Sequence, residues 1–306
     1  MGDIKLFKLT DKVVELDGTT DVIEKSLQTL FERNLQALLG VDFLASEYRT
    51  SDGRIDTLGI DENDSPVIIE YKRATNQNVV NQGLFYLDWL LGHRGDFRWL
   101  VLQKCGNTRA EEVDWSAPRL VCIAGDFSRY DEHAIKMVQR NVELIRYRRF
   151  GGDLLLLELL THVSSTTSAI ESAEDDGVSQ GGQRQVNIYK SVTEYLESAD
   201  AELKDLFQSL RSHLISLGDD VQERTLKNYF AFTRIKNFSC VEIKSRDRKI
   251  LAYVKVDPST IKLEDGFTRD MREIGHYGTG DLEITLNDMD DLERAKPLFK
   301  KSYDNS

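Results

Sequence analysis

Within "GRIDTLGIDENDSPVIIEYKR", residues 53–73, three charged residues stand among apolar ones: Asp56, Glu70 and Lys72. Val67, Ile68 and Ile69 read as an interior strand. Such a strand avoids charge, because an unpaired ion is costly to desolvate. Side chains alternate along a strand, so Glu70 and Lys72 share one face and Tyr71 takes the other. The turn signal DENDSP between two strand-like runs predicts a hairpin. Pairing across a turn centred near residue 63 sets Asp56 opposite Glu70. The two carboxylates and the lysine then converge at one end of a sheet.

Two carboxylates so close repel, and at least one proton affinity rises unless a cation intervenes. A hard divalent ion suits an all-oxygen site. Mg²⁺ (or Mn²⁺) is commonly held by one or two carboxylates together with a substrate phosphate. The carbonyls of Ile69 and Tyr71 are further oxygen donors at the strand end. Bound there, the metal would activate water and draw charge from a phosphoryl group, and Lys72 would stabilise the pentavalent state. Arg49, Arg54 and Arg73 flank the group and suit contacts to a nucleic-acid backbone. "RYRRF", residues 146–150, mixes basic and aromatic side chains that can position a phosphate and stack a base. For each of these arginines an ordinary surface ion pair is the competing reading.

The elements that must place these residues are legible by periodicity. "DVIEKSLQTLFERNLQALLG" is a helix over 21–40 whose apolar stripe is Leu27, Leu30, Phe31, Leu35 and Leu38, with Asp21 and Glu24 at its start and Gly40 at its stop. Strands follow at about 41–49, 54–61 and 66–72, then a helix at about 76–92. "DFRWLVLQKC" and "PRLVCIAG" read as strands, "SRYDEHAIKMVQR" as a helix. "VELIRYRRF" and "DLLLLELL" flank a Gly-Gly turn and read as a hairpin. The order implies a mixed sheet flanked by helices, an α/β fold.

The chain has 306 residues, enough for about two domains. Residues 164–185 are rich in Ser, Thr, Gly and acids and read as a flexible linker. They divide a domain at 1–163 from a smaller α+β domain at 186–306. In the latter, helices are expected at about 188–198, 201–217 and 288–302, and strands near 229–234, 237–244 and 249–256. The formal net charge of −12 excludes a bulk polycation, so nucleic-acid binding must rest on local patches or a metal. Three scattered cysteines argue for a reducing compartment and against a disulfide framework or zinc site. No signal peptide or membrane-length apolar run is visible, and a cytoplasmic protein is expected.

Asp56, thirteen residues, then Glu70-x-Lys72 resembles the PD-(D/E)XK nuclease superfamily, whose core is α-β-β-β-α-β. Gln82 and Tyr86 in "NQGLFYL" share a helix face and match the QxxxY element of RecB-like and NucS-like members. The resemblance implies that this pair contacts the active site or substrate DNA. Glu32 in "LFERNLQ" matches the acidic residue that many members add to the metal site. The stretch around these residues looks most like the NucS branch, over about 20–160. It implies a restriction-endonuclease-like core, a divalent metal, DNA as partner, and a metal-dependent endonuclease of repair or defence. Many such relatives act as dimers, which leaves a homodimer open.

Two departures stand out. Ile55 precedes Asp56 where many members carry Pro. The amino-terminal half of archaeal-type NucS is absent, which implies a different way of holding DNA. Residues 186–306 resemble an uncharacterised family fused to such nucleases and imply no activity. There, His276 and Tyr277 lie in a Gly-rich turn, and Lys244, Arg246, Arg248 and Lys249 cluster at a hairpin tip. Phosphate contacts and plain structural turns are both open for them, and the acidic charge leaves a protein partner open for this domain. The alternative for the whole chain is an inactive nuclease-fold module that binds nucleic acid or protein.

Overall fold

A computed structural model of the chain describes residues 4–20, 24–51, 53–72, 79–138, 140–163 and 191–306. The expected linker, Arg73, and the first residues of the helices expected at 21, 76 and 188 lie outside the described residues. The chain divides into two compact units, Met1–Ser165 and Thr166–Ser306. Among the described residues no helix is long and apolar enough to cross a membrane.

The first unit opens with β1 (Leu6–Lys8) and β2 (Val14–Leu16), an antiparallel pair, and β3 (Gly18–Thr19). Helix α1 (Glu24–Leu39) buries Leu27, Gln28, Phe31, Leu35 and Leu39. It stops at Gly40, whose φ of 64° only glycine adopts freely and whose N–H returns to the Gln36 carbonyl at 3.2 Å. Three antiparallel strands follow: β4 (Val41–Thr50), β5 (Gly53–Asp61) and β6 (Pro66–Lys72). The turn between β5 and β6 is organised by Asp61, whose Oδ1 accepts the N–H groups of Asn63 at 2.9 Å and Ser65 at 3.0 Å. Thr57 therefore pairs with Ile69 and Ile60 with Pro66, the register expected from the turn.

Helix α2 (Val79–Gly92) precedes α3 (Arg94–Cys105) and the short α4 (Asn107–Glu112). Here the structure corrects the sequence reading: "DFRWLVLQKC" is helical. Its aliphatic run resembles a strand, but only Phe97 and Val101, four residues apart, are buried, and Trp99 is exposed. That is the spacing of one helix face. Strand β7 (Arg119–Ala124) lies parallel to β6. Helix α5 (Arg129–Lys136) begins at a capping box between Ser128 and Asp131. Strand β8 (Asn141–Phe150) is parallel to β7, and β9 (Leu154–Val163) returns antiparallel through a turn with Gly151 at φ 61°.

The sheet order is β3-β8-β7-β6-β5-β4, with β9 also on β8. Its two faces are covered differently. Ile68, Leu120, Cys122 and Leu144 share an apolar cluster with Val80, Leu87 and Leu90 of α2. On the other face Tyr71 meets Phe31 of α1, ring centroids 5.7 Å apart. This is the mixed, helix-flanked sheet expected from the order of elements.

The second unit begins with α6 (Val192–Glu197) and α7 (Ala201–Ile215). Strands β10 (Gln222–Thr225), β11 (Phe230–Thr233), β12 (Asn237–Lys244), β13 (Lys249–Val254), β14 (Thr268–Asp270) and β15 (Leu282–Leu286) form one sheet in the order β10-β11-β12-β13-β15-β14. Helix α8 (Met289–Asp304), capped by Asp288, packs with α6 and α7 on that sheet through Leu206, Leu210, Leu292 and Phe299. Strands β10 and β14 were not expected from their short, polar sequences.

Candidate active site

The ladder between β5 and β6 ends at the pair Thr57–Ile69. Beyond that pair the strands part, and side chains take over the backbone groups. The Asp56 N–H donates to Glu70 Oε1 at 3.2 Å, and the Tyr71 N–H donates to Asp56 Oδ2 at 3.1 Å. Each carboxylate thus closes on the other's strand, and both lie at one junction at the sheet's end.

Glu70 is fully buried, and its Oε2 has no hydrogen-bond partner among the described residues. Burial, with the negative charge of Asp56 adding to it, pushes its carboxyl up to about 9; the Asp56 N–H and the charge of Lys72 oppose this. Burial also raises Asp56, against the Tyr71 N–H and Lys72. Lys72, the half-buried end of β6, acts electrostatically on both acids. Fully buried Glu70, with its Oε2 open, and half-buried Asp56 offer only oxygen donors, which fits a hard divalent cation. Tyr71 packs its ring on α1, and its N–H is taken by Asp56.

Glu32 of α1 reaches β5 next to Asp56. Its Oε1 accepts from Thr57 Oγ1 at 2.7 Å and Gln28 Nε2 at 2.9 Å. Among the described residues no three His, Cys, Asp or Glu side chains form a metal-binding group. Glu32 is thus a hydrogen-bond partner of Thr57, the neighbour of Asp56, and of Gln28.

Gln82 and Tyr86 sit together on α2, 3.4 Å apart. The Tyr86 hydroxyl is buried against the β4–β5 tip and accepts the Arg54 N–H at 3.0 Å, two residues before Asp56. A Cβ at Gly53 would lie 2.6 Å from that hydroxyl oxygen, so only glycine lets the tyrosine approach. Arg54 and Arg49 are exposed cross-strand neighbours. The Arg54 guanidinium pairs with Glu47, which also holds Lys25 of α1 at 2.8 Å.

The "RYRRF" segment does not form an open basic-aromatic patch. Arg146 is buried and pairs with Glu158 and Asp126; Tyr147 and Phe150 are buried, and the Tyr147 hydroxyl donates to the Thr20 carbonyl at 2.8 Å. The β8–β9 pairing draws these side chains into the core. In the second unit Lys244 pairs with Glu242, and Arg248 pairs with Asp200 and Glu202. His276 stacks on Tyr253 at 4.3 Å.

Sequence reasoning missed two features. Gln28 interrupts the apolar stripe of α1 at a position in phase with Phe31 and Leu35, and that misplaced polarity was the available signal. The second is a buried ion triad. Arg119 donates to Asp61 at 3.0 Å and, through two nitrogens, to Glu143 at 2.9 and 3.0 Å. No spacing joins those three residues in the sequence.

Comparison with known proteins finds a family match within each unit. Residues 23–104 match the family described as endonuclease NucS C-terminal domain, and residues 192–306 match a domain of unknown function, DUF5655. Each unit thus carries a stretch similar to one of these two families. An uncharacterised protein of Haemophilus influenzae is 30% identical over 288 residues, covering 92% of each chain. The chain belongs to the family of that protein. Among solved structures, a repair endonuclease from Pyrococcus abyssi is 16% identical at a TM-score of 0.29, covering 41% of this chain. An EndoMS–dsDNA2 complex is 13% identical at the same TM-score of 0.29, covering 47% of this chain. The chain spans about half of the first, 47%, and 64% of the second.

Proposed function

We propose that the chain is a metal-dependent DNA endonuclease serving repair, with Asp56 and Glu70 holding Mg²⁺ or Mn²⁺ and Lys72 acting on the scissile phosphate. The observation that carries this reading is the pairing of fully buried Glu70 with half-buried Asp56 at the end of the β5–β6 ladder, with one Glu70 oxygen unpartnered among the described residues. The match of residues 23–104 to the NucS endonuclease family supports the same chemistry.

A bound divalent cation supplies Lewis acidity to a phosphoryl oxygen. The protein's part is positional and electrostatic. Asp56 and Glu70 offer oxygen donors from adjacent strands. Lys72 donates hydrogen bonds to the phosphate or the attacking water, and its charge offsets that of the pentavalent transition state. Water adds to phosphorus as the bond to the leaving strand's oxygen breaks. Arg49 and Arg54 serve as contacts to flanking phosphates, Arg54 by exchanging Glu47 for DNA. Gln82 approaches the substrate, and Tyr86 fixes the strand that carries Asp56.

The test is incubation of the purified protein with Mg²⁺ or Mn²⁺ and branched, mismatched and linear DNAs. Cleavage is expected to vanish with chelator and to fall at least about a hundredfold in Asp56→Asn, Glu70→Gln and Lys72→Ala, with folding intact. Wild-type cleavage by the Asp56→Asn/Glu70→Gln double variant would end the reading.

A further inference from the structure

We propose that Gln28 of α1 is a positioning residue for Asp56, holding the peptide that carries the carboxylate. The inference rests on the active-site reading above and extends it to a residue outside the acid–lysine set.

Ser46 pairs with Thr57 and Tyr48 with Ile55, but no register pair on either side of β5 includes Asp56. The residue that would face it on β4 is Glu47, whose φ of 54° takes it out of extended geometry. Such left-handed backbone at a non-glycine residue is held only by its surroundings. Lys25 and Arg54 grip the Glu47 carboxylate and hold it there.

With β4 withdrawn, Gln28 takes up the Asp56 carbonyl: its Nε2 donates to that oxygen at 2.7 Å. The same amide lies 2.9 Å from Glu32 Oε1 and 3.2 Å from Ser46 Oγ, and its oxygen accepts from Lys25 at 3.2 Å. Asp56 is therefore fixed at three points: its N–H by Glu70, its carboxylate by the Tyr71 N–H, and its carbonyl by Gln28. Two of these involve the acid pair itself and must adjust when a cation enters. The Gln28 contact is independent of the cation and keeps the β5 peptide in place. Outer partners of this kind orient metal ligands and tune their affinity.

The test compares wild type with Gln28→Met, which keeps the volume and removes the donor, and with Leu35→Val, a core change on the same helix. Mn²⁺ affinity is read by calorimetry, and kcat and KM are read on a cleaved DNA. Gln28→Met is expected to weaken Mn²⁺ binding and lower kcat about tenfold or more, with KM for DNA within about twofold of wild type. Leu35→Val is expected to lower Tm and leave the Mn²⁺ affinity unchanged. If Gln28→Met does not fold, Gln28→Asn, too short to reach the Asp56 carbonyl, takes its place with the same expectation. Wild-type Mn²⁺ affinity and kcat in the folded Gln28 variant overturn the proposal. So does equal weakening by Leu35→Val. A wild type that binds Mn²⁺ but cuts no DNA sinks the endonuclease reading alone, since the calorimetry still reports on Gln28. A wild type that binds no Mn²⁺ sinks both.

Discussion

Glu70 sets the behaviour of the site at the scale of a single residue. An unfolded glutamate titrates near 4.5, and this one is pushed up to about 9 by burial. Between those values the folded chain holds one more proton than the unfolded chain, so stability falls as pH rises from about 4.5 to about 9. A cation must displace that proton. Mn²⁺ binding at pH 7 is expected to release about one proton, and apparent affinity to tighten up to tenfold per pH unit from about 6 to 8. Calorimetry in two buffers of different ionisation enthalpy reads the release directly; a buffer-independent enthalpy would contradict it. The candidate acids were readable because an Asp, a turn signal and an ExK lie within one hairpin, where strand alternation ties spacing to space. Gln28 was not readable in that way. Its role depends on a missing ladder pair between β4 and β5, and only coordinates show where a strand leaves its neighbour.

At the scale of elements, the β4–β5 tip depends on α2. Tyr86 accepts the Arg54 N–H, and Gly53 leaves room for its hydroxyl. Tyr86→Phe should cost about 1 kcal/mol of stability, the usual worth of one such bond, and lower cleavage several-fold with KM little changed. Urea unfolding and steady-state kinetics check the two halves, and an unchanged kcat would separate Tyr86 from the positioning of Asp56. Helix α1 and the β5–β6 register were legible from an apolar stripe and a turn. Helix α3 was not, because "LVL" at 100–102 has the composition of a strand, and the exposure of Trp99 that breaks the pattern is a tertiary fact. The basic run of β8 misled for a related reason. Arg146 and Tyr147 look like surface groups until Glu158 and the Thr20 carbonyl are brought beside them.

At the scale of the molecule, an acidic chain keeps several basic groups for internal use. Arg109 binds Asp42 and Asp64, and Arg119 binds Asp61 and Glu143 in full burial. The second of these ties the β5–β6 turn to β7 and β8. Removing the cation takes the guanidinium charge away from two buried carboxylates, so Arg119→Leu is expected to destabilise the first unit by about 3–5 kcal/mol. All three tryptophans, Trp89, Trp99 and Trp115, fall in that unit, so their fluorescence in urea follows its unfolding selectively. An unshifted midpoint would contradict the prediction.

The hairpin that joins the two acids carries a constraint of parity. Four residues, 62–65, separate β5 from β6, and side chains flip face at every step along a strand. Adding or deleting one residue in that turn would exchange Glu70 with a neighbour that points toward α1, leaving the helices untouched while dissolving the site. The length of that turn is therefore as much a part of this chemistry as the acids.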